Sequence, residues 1–135
     1  MAPMNIFYAH AAAMAAGFLL IAAGFVVVRF YRQNRAWLKI HKTAGIIGSL
    51  CFLMGLTAAV AMVSQAGEGH MKVPHAWLGM ATVFVAVTTP ILGQLQFKIR
   101  ARIQQLRIMH RWFGRLTLVM VLLTLLSGLR TAGVI

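Results

Sequence analysis

One carboxylate, Glu68, and one thiol, Cys51, are the only acid and sulfhydryl side chains in this 135-residue sequence. The lone cysteine lies inside an apolar run. An intrachain disulfide, a cysteine-rich zinc site and an iron–sulfur cluster are therefore excluded, and Cys51 is expected to be a packing residue. No acidic residue falls in any long apolar run, so a carboxylate-bearing metal cage has no ligands there, and quinol oxidation lacks its proton acceptor. Basic residues are missing where a secretory leader would carry them: none precedes the first apolar run, which is longer than the ~7–15 residues of a signal-peptide core. That run is expected to be a retained helix.

What is present is mostly apolar. Hydrophobic residues make up 61% of the sequence and the mean hydropathy is +0.83, values of a membrane protein. Four segments, 6–30, 38–63, 74–97 and 106–129, each exceed the ~20 residues needed to cross a bilayer core. They use up nearly all of residues 1–135 and point to one domain. The expected fold is all-α: an integral membrane, up-and-down four-helix bundle whose short connections make neighbouring helices antiparallel.

A net charge of +12 would suggest nucleic acid in a soluble protein, but the placement of the charges gives another account, and no nucleic-acid partner is expected. Arg29, Arg32, Arg35, Lys39 and Lys42 cluster between the first two spans, and Lys98, Arg100, Arg102, Arg107, Arg111 and Arg115 between the last two. Only Lys72 and Arg130 fall at the opposite end. The positive-inside rule then puts the two clusters in the cytoplasm and both termini outside it, a multi-pass topology that suits a bacterial inner membrane. The lipid bilayer and its anionic headgroups are the first partner this implies.

Pro74 fits the first turn of the third span, whereas Pro90 lies inside it. Pro90 is expected to kink the helix, with the hydroxyls of Thr88 and Thr89 taking up the freed carbonyls. The many span glycines, Gly17, Gly24, Gly45, Gly48, Gly55, Gly79, Gly93, Gly114 and Gly128, have two readings: close helix packing, or room for a flat macrocycle.

Histidine is rare and costly inside a membrane span. Here His10, His41, His75 and His110 each stand near the N-terminal end of a successive span. Because the spans alternate in direction, His10 and His75 share the outer level, and His41 and His110 the inner. The first and third spans are diagonal across a four-helix core, as are the second and fourth, so each pair points at one spot on the bundle axis. Two axial imidazoles on a haem iron have this geometry. The expectation is two non-covalent b-type haems, since no Cys-x-x-Cys-His attachment motif is present. His10 and His75 would ligate the outer iron, and His41 and His110 the inner. With both axial positions filled, one-electron transfer is the expected chemistry.

His70, in the loop, is either a solvated residue or, with Lys72, part of an outer electron exit. Trp37, Trp77 and Trp112 lie near the histidines as interfacial anchors or as packing for haem edges. Met14 and Met109 are expected to pack, because the histidines already fill the axial positions.

At these residues the sequence resembles the cytochrome b561 superfamily, including its ferric-reductase-type and DOMON-linked members. The resemblance rests on the order and spacing of His10-Ala-Ala-Ala-Met14, Arg29-Phe-Tyr31, Trp37-Leu-Lys-Ile-His41, His75-Ala-Trp-Leu-Gly79 and Arg107-Ile-Met-His110-Arg-Trp-Phe-Gly114. It implies two diagonally ligated haems b and electron flow from a cytoplasmic donor to an acceptor outside, with oxidoreductase activity of the ascorbate or ferric reductase type as one form. It also places Lys39 where ascorbate-using members carry a lysine that helps bind the reductant. The other reading of Lys39 is one more positive-inside charge. Lys39, Lys42, Arg107 and Arg111 are candidate contacts for an anionic reductant or the haem propionates. The family often adds flanking helices or a soluble domain to this core, so a small-molecule or protein donor and acceptor, or a homodimer or larger redox complex, is expected to complete the path. Two other functions compete: a haem-bearing anchor subunit relaying electrons to a partner cytochrome or the quinone pool, and a cofactor-free transporter or assembly factor.

Overall fold

The computed structural model describes residues 4–135, and its helices follow from composition and end chemistry. Four helices, α1 (Met4–Phe30), α2 (Trp37–Gln65), α3 (Pro74–Lys98) and α4 (Ile103–Thr131), are joined by short connections, the last of them holding a single 3-10 turn, Arg100–Arg102. All four are long and apolar enough to cross a membrane. Each runs one to five residues beyond the apolar segments in total, because the backbone keeps its hydrogen bonds where polar side chains at the helix ends enter the headgroup region. The end carrying the two basic clusters is called the inner end below, and the other the outer end.

At the outer end α2 and α4 stop in the same way. Gly67 and Gly133 adopt positive φ, 67° and 72°, which only glycine does without strain. Gly67 N–H donates to Ser64 O and Glu68 N–H to Val63 O, while Gly133 N–H donates to Arg130 O and Val134 N–H to Leu129 O. Each set is a Schellman cap, which satisfies carbonyls a membrane helix would otherwise leave bare.

Among the described residues, α1 packs along α2 and α3 along α4. The α2–α3 contact is smaller, the α1–α4 contact slight, and the diagonal helices do not bring their backbones together. The molecule is thus two antiparallel hairpins, α1–α2 and α3–α4, set side by side. The core is thin: Phe52, Val83, Ala86 and Val121 are buried, with Met14, Phe18 and Ile21 against them. Large apolar side chains such as Leu19 and Phe84 are 66% and 69% exposed. Lipid solvates them as well as a protein interior would, so packing detail rather than burial holds the helices together.

The Pro90 expectation needs a correction. Thr88 and Thr89 donate to Phe84 O and Val85 O. The carbonyl that Pro90 leaves without its helical donor is that of Ala86, one turn back. Ser49, from α2, supplies the donor: its hydroxyl lies 2.9 Å from Ala86 O and 2.9 Å from Gly45 O of its own helix. A tertiary contact repairs the proline break, and α3 stays helical through it.

Candidate functional site

In each hairpin the histidine of one helix faces a backbone carbonyl of the other, and three of the four are hydrogen-bonded to it. His10 Nδ1 lies 2.8 Å from Gly55 O, His41 Nδ1 3.0 Å from Gly24 O, and His110 Nδ1 2.9 Å from Thr89 O. A carbonyl only accepts, so Nδ1 carries the proton and Nε2 keeps a free lone pair, the tautomer a metal needs. His75 faces the corresponding carbonyl, that of Thr124. Its Nδ1 is off the geometry of a hydrogen bond and is left buried without a partner.

All four carbonyls stand fourteen residues after the histidine of their own helix: Gly24 after His10, Gly55 after His41, Thr89 after His75 and Thr124 after His110. Fourteen residues rise about 21 Å. Antiparallel pairing therefore seats each histidine beside its partner helix's carbonyl, and fixes two histidine levels about 21 Å apart.

Across the hairpins the rings meet two by two. The His10 and His75 ring centres are 6.3 Å apart and the rings nearly perpendicular, at 84°; His41 and His110 are 5.9 Å apart at 82°. Two imidazoles bonded to one metal ion at about 2 Å each put their ring centres about 6 Å apart. Among the described residues no three His, Cys, Asp or Glu side chains gather to form a metal cage. The set on the page is two neutral imidazoles per level, which suits a metal whose remaining positions are filled by a macrocycle rather than by the chain.

Space around the rings is made by glycine. A Cβ added to Gly93 would lie 3.0 Å from the His110 ring, and one on Gly128 would lie 2.9 Å from the His75 ring. At the inner level a cavity of about 790 Å³ opens on His41 and His110, within the usual ~300–1,000 Å³ of cofactor sites. Its walls carry Arg29, Arg32, Lys42, Arg107, Arg111 and Arg115.

Of the proposed cytoplasmic contacts, Lys42, Arg107 and Arg111 line this cavity, and Lys42 sits 4.9 Å over the Phe97 ring. Lys39 is exposed and lies outside it. The outer-loop candidates are already engaged: Lys72 pairs with Glu68 at 2.8 Å, and His70 Nε2 is 3.3 Å from Ser64 Oγ. The Lys72 ammonium holds the Glu68 carboxyl below the usual carboxylate range.

Trp77 and Trp112 are 63% and 62% exposed, as membrane-interface anchors should be; Trp37 lies at the cavity wall beneath the Arg32 guanidinium. Met14 packs against Gly55. Met109 does not pack inward as expected: it faces outward, 44% exposed. Sequence reasoning missed the carbonyl acceptors, Ser49 and the roles of Gly93 and Gly128, although the fourteen-residue interval repeated in four helices is a visible signal.

A family model described as eukaryotic cytochrome b561 matches residues 9–134. No curated protein and no solved structure matches the chain. The four spanning helices support a multi-pass membrane protein, and the matched family is a eukaryotic one, so the match does not favour a bacterial inner membrane.

Proposed function

The chain belongs to the cytochrome b561 family, and on that premise we propose that it carries electrons across the membrane through two non-covalent haems b. His10 and His75 hold one near the outer end, His41 and His110 the other near the inner end. The observation that carries this reading is the double pairing of imidazoles from diagonal helices, at ring separations that suit one metal ion each. Haem, when bound by these histidines, would supply a one-electron couple. The chain's own residues do the rest. The Gly24, Gly55 and Thr89 carbonyls accept hydrogen bonds from Nδ1–H and aim the rings, and Gly93 and Gly128 keep clear the space beside them. The basic side chains of the inner cavity hold the propionates by forked or point-charge contacts, or receive an anionic donor.

The charge distribution supports a cytoplasmic inner end and both termini on the other side, and flow from an inner donor to an outer acceptor is what the resemblance to the family implies. A relay to a redox protein docked outside, or within a larger redox complex, is favoured over a free ferric chelate by one observation: Lys72 is paired with Glu68 and His70 with Ser64 at the end of α2.

A reduced-minus-oxidised absorption spectrum tests the reading. Low-spin haem b bands are expected, with two haems per chain and all of the haem extractable. His41→Ala and His110→Ala should each remove the inner haem, and His10→Ala and His75→Ala the outer, halving the haem content. Correctly folded, colourless protein would refute it.

A further inference from the structure

Each haem level takes one histidine from each hairpin, and between the levels the hairpins meet at one small apolar cluster, Phe52 of the first against Val83, Ala86 and Val121 of the second. Interhelical hydrogen bonds gather inside the hairpins: His10 to Gly55 and His41 to Gly24 in the first, Thr82 to Thr124, Thr89 to Thr117 and His110 to Thr89 in the second. Among the described residues one such bond joins the two hairpins, from Ser49 to Ala86 O. Direct packing follows the same division, with α2–α3 modest and α1–α4 slight. The large inner cavity is walled by both hairpins. The covalent link is the outer loop, residues 66–73, which carries Gly67 and Gly69.

We infer that the two hairpins are separate folding units, and that the four histidines, bonded in pairs to shared haem irons, are the main clamp between them. This rests on the electron-relay reading. In lipid no hydrophobic force drives helices together, so an interface of one small apolar cluster and one hydrogen bond is weak. Two His–metal–His bridges, at levels about 21 Å apart, cross it at two well-separated points and fix its register as well as its strength. The ordering follows: each hairpin closes first on its own carbonyl–histidine bonds, which preset the Nδ1-protonated tautomer, and haem capture then joins the two.

The test uses the full-length holoprotein with a site-specific protease sequence inserted after Gly67, cut in detergent. The cut protein should run as one particle with the haem content of the uncut chain. Transfer of its haem to excess apomyoglobin should split it into two half-sized particles while far-ultraviolet circular dichroism keeps its helical signal. A second measurement uses the uncut chain, spin-labelled across the hairpins at positions 19 and 122, or within the first hairpin at 19 and 50. Haem removal should widen the first distance and leave the second unchanged. Halves that stay together without haem, or a 19–122 distance that does not move, would overturn the clamp and leave the relay standing. A chain that holds together and never binds haem would overturn both.

Discussion

The two hairpins do the same work with opposite side chains. Seven and fourteen residues after its histidine, each helix of the first hairpin carries glycine: Gly17 and Gly24 in α1, Gly48 and Gly55 in α2. At the same intervals the second carries threonine: Thr82 and Thr89 in α3, Thr117 and Thr124 in α4. In the first hairpin a Cβ on Gly17 would lie 2.9 Å from Gly48 O, and one on Gly48 would lie 3.0 Å from Gly17 O, so the backbones meet. In the second, Thr82 and Thr124 hydroxyls are 2.7 Å apart and those of Thr89 and Thr117 3.1 Å, so side chains bridge a wider seam. A glycine stands four residues after the second threonine of each helix, at Gly93 and Gly128, where a Cβ would crowd the His110 and His75 rings. What the pair teaches is that the seven-residue interval is what all four helices share. It keeps one face of a helix on its neighbour, and either contact chemistry can occupy it.

The comparison breaks hardest where one hairpin is given the other's residue. Gly48→Thr places a Cβ 2.8 Å from Ile21 Cγ1. It should cost about 3 kcal/mol, the upper end for overpacking, while Gly45→Ala, with nothing within 4 Å, should change the unfolding midpoint little. Equal midpoints in a denaturant titration would show that α1 and α2 need no close approach. Next in size, Gly128→Ala should weaken the outer haem alone and Gly93→Ala the inner alone, read as haem-to-protein ratio after dilution into detergent. Loss of both haems from either variant would mean that the glycines serve general packing. Smaller still is Thr117→Val, which removes a buried interhelical bond worth about 0.6 kcal/mol on average in membrane helices and rarely above ~1.7; thermal unfolding should report a shift of that order and an unchanged spectrum. Smallest is the outer-loop ion pair. Because Lys72 depresses the Glu68 carboxyl, its contribution is present above the ordinary carboxylate range and fades as pH falls through the lowered value. The pair is fully exposed, so screening should leave Glu68→Gln indistinguishable from the parent in unfolding at neutral pH.

Much of this was legible in the sequence for physical reasons. Helices in lipid must be long and apolar, so four spans declare themselves, and antiparallel threading alone pairs His10 with His75 and His41 with His110 by level. What stayed hidden depends on neighbours. Nothing local in Ser49 says that it serves a proline on another helix, and nothing local in Lys39 says that it is exposed and outside the cavity lining while Lys42 is part of it. The glycine–threonine correspondence was obscured because chemically unlike residues fill equivalent positions.

The fourteen-residue interval also acts as a ruler. Insertion of one residue between a histidine and its carbonyl mate would swing everything beyond it by about 100° around the helix axis, parting donor from acceptor at one level while sparing the other. Length can therefore change only outside the two levels, in the polar overhangs and the connecting loops. A thicker or thinner bilayer has to be met there, by tilt or by the flanking turns, while the interval between the imidazole layers stays fixed whatever membrane surrounds it.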